Sequence, residues 1–533
     1  MSTSLDKSRR TLSVAMIVRD AESLLEETLA SVASIADEIV VADTGSTDAT
    51  REIAKRLATR VVDIPWQQDF ASARNACFAQ TTCDWVLSMD AGETLSSSTA
   101  QALRRFVDRR ADPRMVYSLL ISVPPSTLDV SAQQVARVRL LPRCDSIRYA
   151  GRVREHLNGS LGPQALQVQP LDLVIDRSSY DLRPDVRLRK AQRNLKLAEQ
   201  EMEQHGPSAR LWLVRGEAIA VLGDMQEARH CFRKAQHSAV AASDELLEAY
   251  YGQVATHDGT QADSGAQLDL CIEALQSFPV DMQLLCAMGN FLQTSGRLDL
   301  AMRTFETAVQ CGEIRQNLWH LEDIEDVAVV CWAATLHLIN RPNEACRLLE
   351  NALSERPESV RIRRLIIELH IQDRDRDKAL GHAEQMPEEF ANRQAFVNAV
   401  RGACLARSGD WVAAEAYLET AYEDQCRDPI CLRWLAAAYL QLEKTKGAQQ
   451  VLRDWYEIEP DSEELIQLAE KLPVAQMEEA TSASKNLDRQ ISIHRPALPG
   501  FQSLPPRPKS GGKTPLLRKA LLMLSPRDMS SFA

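Results

Sequence analysis

Asp84-Trp85-Val86-Leu87-Ser88-Met89-Asp90-Ala91-Gly92-Glu93 is a short apolar run that ends in acids. Residues 85–89 are bounded by polar residues, as in a strand buried inside a parallel sheet. Asp90 then falls where that strand leaves the sheet. In open α/β sheets, ligands sit beyond the carboxyl ends of the strands. An acid there, with a second acid nearby, can hold a divalent cation and the diphosphate it neutralises. Asp90 equally suits a turn, or a cap for the helix after Ser96.

Working outward, residues 12–18 form a compact apolar strand, and residues 21–34 carry apolar residues at helical spacing. Residues 38–42, Glu-Ile-Val-Val-Ala, read as a second strand that runs into Asp43-Thr44-Gly45-Ser46-Thr47-Asp48. A helix to about residue 58, a strand at 61–64 and a helix at 70–80 follow. Such alternation implies a parallel, doubly wound sheet. The Asp43 turn suits a nucleotide. Gly45 permits a tight backbone, Ser46 to Asp48 can cap the next helix, and Asp43 can accept bonds from a base or ribose. A plain strand-to-helix turn explains the same residues.

The chain has 533 residues, enough for two or three domains, with 45% hydrophobic and 26% charged residues. A net charge of -12 argues against a nucleic-acid partner. The twelve cysteines lie singly, with no C-x-x-C, and read as small buried residues of a reducing, cytoplasmic compartment. Residues 1–10 lack the apolar centre of a signal peptide, and no apolar run is long enough for a transmembrane helix.

Four motifs in order, residues 12–20, 37–48, 69–75 and 84–93, resemble glycosyltransferase family 2, and most closely its bacterial branch fused to tetratricopeptide (TPR) repeats. The resemblance covers about residues 1–180. It implies a GT-A fold, with a Rossmann-like mixed sheet, and transfer of a sugar from a nucleotide-diphosphate donor. It places Asp43 at the base or ribose, Arg74 and Asn75 beside the nucleotide, and Asp90 as first acid of the D-x-D motif that meets ribose and metal. Residues 134–141 alternate as a strand. Residues 147–156, Ile-Arg-Tyr-Ala-Gly-Arg-Val-Arg-Glu-His, then resemble the family segment in which Val-His-Glu follows Tyr-x-Gly. Glu155 matches its Glu and is the candidate general base of an inverting displacement. A surface glutamate paired with an arginine is the plainer explanation.

Three positions depart from the family. Gly92 stands at the second acid of D-x-D, with Glu93 directly after it. Arg154 stands for the His before Glu155, and Arg177 for the His of a later His-x-Gly-Tyr. Asp90, Glu93 and His156 are the candidate ligands for Mg2+ or Mn2+. The departures add positive charge, so Arg154 and Arg177 are candidate donor-binding cations, beside Ser46, that neutralise a leaving diphosphate without metal. The opposite expectation is a decayed site with solvated arginines, and a GT-A/TPR scaffold that works only through protein contacts.

Residues 181–205 read as a charged connecting helix. After it, Ala345, Ala379, Ala414 and Ala448 recur at steps of 34, 35 and 34. That period is the TPR period, and Ala228-x-x-x-Phe232 and Ala301-x-x-x-Phe305 match its second helix. About ten extra residues interrupt the period at 313–323. Residues 206–475 are therefore expected to stack as an all-α superhelix whose groove binds a protein or peptide. Trp319, His320 and His337 are assigned to packing. Residues 476–533 are rich in Ser, Pro and Gly. From 481 onward they carry nine Lys or Arg against two Asp or Glu, and read as a disordered tail able to touch an anionic membrane surface.

Overall fold

The protein was analysed as a computed structural model that describes residues 9–124, 132–161, 164–256, 264–387, 390, 392–458, 463–469 and 471. The tail at 476–533 and its membrane contact lie outside these residues.

The first four strands are β1 (Leu12–Val18), β2 (Glu38–Asp43), β3 (Arg60–Asp63) and β4 (Trp85–Ser88). They run parallel in the order β3-β2-β1-β4. The intervening helices are α1 (Leu25–Val32), α2 (Thr50–Leu57) and α3 (Phe70–Phe78). Every residue of β2 and β4 is buried, which is why both read as unbroken apolar runs rather than alternating ones.

Beyond β4 the sheet is no longer purely parallel. Next in the chain come β5 (Glu93–Thr94), α4 (Ser97–Arg109), β6 (Met115–Val123), β7 (Gln133–Pro142), β8 (Ile147–Ala150), β9 (His156–Leu161), β10 (Gln164–Ala165) and β11 (Gln167–Arg177). The order continues β4-β7-β6-β11-β5, with β7 antiparallel to both β4 and β6. Strands β8 to β10 form a separate small sheet. The domain is thus the mixed-sheet α/β class, and the wholly parallel sheet implied by the early alternation holds only for its first half. The reversal fits the connectivity: β6 and β7 are consecutive in the chain and pair as antiparallel neighbours.

Helix α5 (Pro184–His205) leads to an all-α array. Its pairs are α6 (Ala209–Leu222) with α7 (Met225–Ser238), α8 (Asp244–Ala255) with α9 (Ser264–Ser277), and α10 (Met282–Thr294) with α11 (Leu298–Cys311). Then follow α12 (Ile324–Leu338) with α13 (Pro342–Glu355), α14 (Val360–Gln372) with α15 (Arg376–Glu384), and α16 (Arg393–Ser408) with α17 (Trp411–Glu423). The last pair is α18 (Pro429–Gln441) with α19 (Thr445–Ile458), and α20 (Glu463–Ala469) ends the described array. The recurring alanines are packing positions: Ala228, Ala301, Ala345, Ala379, Ala414 and Ala448 are all fully buried. None of the twelve cysteines is in a disulfide.

The ten extra residues explain how the two parts are joined. They form β12 (His320–Leu321), which pairs antiparallel with Gln133 and Gln134 of β7. Ala136 N donates to Gln316 O at 2.6 Å and Glu322 N to Ala132 O at 2.9 Å. Trp319 is buried in the same apolar core as the sheet, and His320 Nδ1 lies 3.0 Å from Leu318 O. The array therefore folds back and adds a strand to the sheet. No helix among the described residues is long and apolar enough to cross a membrane.

Candidate active site

The carboxyl ends of β2 and β4 open on the same edge of the sheet, with β1 between them. At the β4 end the chain turns sharply through Asp90 to Glu93. Gly92 has φ +92°, a region in which L side chains are strained, and a Cβ there would meet Leu24 Cδ1 at 3.3 Å. A side chain at position 92 would thus be strained, and the next residue, Glu93, is a fully buried carboxylate. Glu93 Oε2 accepts from Asp90 N at 2.9 Å.

Three arginines surround these acids. Arg74 of α3 donates from Nη2 to Asp90 Oδ1 at 2.7 Å, from Nε to Glu155 Oε1 at 2.5 Å and from Nη1 to Ser88 Oγ at 3.3 Å. Arg139 of β7 donates from Nη2 to Asp90 Oδ2 at 2.9 Å and to Glu93 Oε1 at 2.5 Å. Its Nε is buried with no hydrogen-bond partner among the described residues. Arg177 ends β11 in register with Glu93, is mostly buried, and acts electrostatically on both Asp90 and Glu93. Burial alone would raise Asp90, but Arg74, Arg139 and Arg177 outweigh it and hold its carboxyl well below the usual range. Burial, together with the neighbouring Asp90 carboxylate, pushes Glu93 up despite Arg139.

Glu155, Arg74, Asp90, Glu93 and Arg177 are thus brought together; other candidates are not. Arg154 has φ +52° and turns away to donate to Glu217 of α6 at 3.3 Å and to Glu248 of α8. It is therefore an interdomain cation, because those two buried glutamates take its guanidinium. His156 is exposed and lies in electrostatic reach of Arg210, Glu201, Glu245 and Glu155. Asn75 spends its amide on Tyr149, donating to its O at 2.9 Å and accepting from its N at 2.8 Å, which fastens β8 to α3. Asp43 Oδ1 accepts from Ser46 N at 3.0 Å and Ser46 Oγ at 2.7 Å, while its Oδ2 lies 3.4 Å from Arg51 Nε. Ser46 Oγ also accepts from Asp20 N at 3.0 Å. Asp43 and Ser46 therefore shape the β2 turn. Arg154 and Arg177 are not solvated surface arginines, since both are mostly covered.

Arg139 went unnoticed in the sequence. Its signal was present: Arg137 and Arg139 stand inside the apolar strand Val-Ala-Arg-Val-Arg-Leu-Leu, where charges are rare unless paired. Arg137 donates to Asn317 O at 2.7 Å, and burial, with Arg154 nearby, depresses it to about 9.

A mixed sheet with acids beyond β4 and a stack of helix pairs behind it defines a GT-A-like α/β domain joined to a TPR-type array. Residues 13–115 match the family model described as Glycosyl transferase family 2. A TPR repeat-containing protein of Synechococcus elongatus is 42% identical over 98 residues, 18% of this chain and 24% of that protein. An uncharacterized glycosyltransferase of Rickettsia bellii is 32% identical over 115 residues, 21% of this chain and 38% of that protein. The chain thus spans well under half the length of either relative. Among solved structures, yeast Tom70 aligns over 59% of this chain and 64% of its own, at 16% identity and a TM-score of 0.39.

Proposed function

We propose that the N-terminal domain moves a sugar from a nucleotide-diphosphate donor to an acceptor hydroxyl with inversion, using its own arginines in place of a divalent metal. The observation that carries this reading is the convergence of Arg74, Arg139 and Arg177 on the acids beyond β4, with Glu155 on the far side of Arg74. In the reaction the acceptor oxygen bonds to the anomeric carbon and its proton passes to Glu155. The bond from that carbon to the β-phosphate oxygen breaks, and the diphosphate leaves with the electron pair. Guanidinium N–H groups meet that charge as it develops, in a site where few waters compete. The unpartnered Arg139 Nε is a further buried donor in this cluster. Asp43 would release its turn contacts to a base or ribose.

Mg2+ or Mn2+ does not suit these residues. Such hard cations need about six oxygen ligands. Both Asp90 oxygens are held by arginines, and both Glu93 oxygens by Arg139 and the Asp90 amide. Gly92 adds no ligand, and no group of three or more His, Cys, Asp or Glu gathers for a metal among the described residues. No step is assigned to a metal.

One observation favours a non-catalytic scaffold instead: Asp90, Glu93 and Glu155 are already neutralised by Arg74 and Arg139. For the array, Glu217 and Glu248 of the first two pairs are taken by the domain's own Arg154, so a peptide or protein acceptor would meet the later pairs. Calorimetric titration of the full chain with UDP, GDP, dTDP, ADP and CDP, with and without EDTA, decides between these. Binding unchanged by EDTA, with donor turnover abolished by Glu155→Gln, is expected. Binding that EDTA abolishes overturns the metal-free part, and no binding by any nucleotide leaves the scaffold.

A further inference from the structure

Residues 151–155 carry the candidate base, yet three of the five, Arg152, Val153 and Arg154, make polar contacts with the helical array. Arg152 N donates to Glu201 Oε2 of α5 at 2.7 Å, and its guanidinium to Gln204 Oε1 of α5 at 2.8 Å. Val153 is fully buried against Phe70, Leu197 and Leu211, and its carbonyl accepts from Arg210 Nη1 of α6 at 2.5 Å. Arg210 is itself anchored on Glu201. A Cβ at Gly151 would lie 3.1 Å from the Arg210 guanidinium, so the loop and the first repeat are in van der Waals contact. Arg154 then reaches Glu217 of α6 and Glu248 of α8. Arg152 also holds the N-terminal domain, donating from Nη1 to Gln68 O at 3.1 Å and accepting at its carbonyl from Phe70 N at 3.0 Å, while Glu155 turns onto Arg74 of α3.

The physics of Arg154 makes this contact directional. A non-glycine residue at φ +52° stores strain of about 1–2 kcal/mol unless its surroundings hold it there. The surroundings here are two carboxylates, Glu248 only 2% exposed and Glu217 only 8%. A buried guanidinium stripped of such partners is strongly destabilised, so the ion pairs fix both the backbone of Arg154 and the direction of the next residue. Both carboxylates in these contacts come from the array.

We propose that Glu248 and Glu217 are positioning residues of the transferase site: by holding Arg154 they set Glu155 beside Arg74, so the helical array completes the site rather than merely carrying it. This rests on the reading of Glu155 as general base. It does not involve the Asp43 turn.

The test compares the full chain with Glu248→Gln, Glu248→Asp, Arg154→Met and the Arg154→Met/Glu248→Gln double variant. Three quantities are read: nucleoside diphosphate affinity by calorimetry, kcat and KM for the donor so identified, and hydrogen exchange of the amides of 152–156. Glu248→Gln should lower kcat at least tenfold, with nucleotide affinity within twofold, and speed exchange at 152–156 but not at 86–93. Glu248→Asp should recover part of kcat, and the double variant should be no worse than Arg154→Met alone. Unchanged kcat and exchange in Glu248→Gln overturn the proposal, as does a loss of nucleotide affinity equal to the loss of kcat. Inactivity of the unmodified chain refutes the reading of Glu155; exchange at 152–156 still decides whether the array fixes the segment.

Discussion

Replacing Arg139 with methionine removes a buried cation while keeping most of the side-chain volume. In the native protein its Nη2 lies 2.9 Å from Asp90 and 2.5 Å from Glu93, and none of the three side chains is more than 10% exposed. At an effective dielectric of about 20, each such pair attracts by about 4–6 kcal/mol before desolvation is subtracted. Removing one partner of a buried pair costs about 3–5 kcal/mol, because the abandoned charge cannot regain its water. Arg74 and Arg177 still face Asp90, so the lower end, about 3 kcal/mol, is expected at pH 7.5. The pH dependence has a definite sign. Glu93, already pushed up by burial, rises further without Arg139. A carboxyl raised above its unfolded value of about 4.3 stabilises the fold below that pH, and this contribution is lost as pH climbs through the folded value. The deficit relative to the native chain should therefore be smaller at pH 5 than at pH 7.5. Urea unfolding of the full chain, followed by tryptophan fluorescence at both pH values, measures it. Adding Glu93→Gln should restore more than half of the loss at pH 7.5. A deficit below about 1 kcal/mol at both pH values, or a larger one at pH 5, would refute the assignment of Arg139 as the cation that holds the acids together.

Gly252→Ala should lower the thermal midpoint of the array. A Cβ there falls 2.6 Å from the Phe232 ring, which also presses on Gly216, and overpacking of this kind costs about 1–3 kcal/mol. Phe232→Leu in the same background should return part of the loss in a calorimetric scan. His370 and His382 stack with centroids 5.7 Å apart. Burial, with His370 beside it, lowers His382 to about 4, and burial also lowers His370. Histidines depressed in the fold stabilise it above their unfolded value of about 6.5, and that contribution is lost as pH falls toward 4. Amides of α14 and α15 should accordingly lose exchange protection between pH 6.5 and 4, and His382→Gln should flatten the change.

The sequence was most legible where the chain is locally repetitive or wholly buried. The strands at 12–18, 38–43 and 85–88 are continuous apolar runs, and the TPR period shows because small residues must recur wherever two helices approach. β6 and β11 were missed. β11 is largely exposed along its first half and lacks the apolar signal that marks the earlier strands. Asp90, Glu155 and Arg74 could be named from motifs, because each lies near a strand end or on the helix beside it.

What sequence order could not supply is which distant charges neutralise one another. Arg154, three residues past Gly151, was expected at the donor and instead binds Glu217 and Glu248, 63 and 94 residues away. Arg139, 49 residues from Asp90, closes the acid cluster. The ten residues that break the repeat period look like slack in the sequence and are a strand of the transferase sheet. Local pattern determined the elements and the two kinds of domain, because propensity and burial act over a few residues. The tertiary structure alone decided the ion pairs and the docking, because a buried charge takes whichever partner the packed chain brings within a few ångströms.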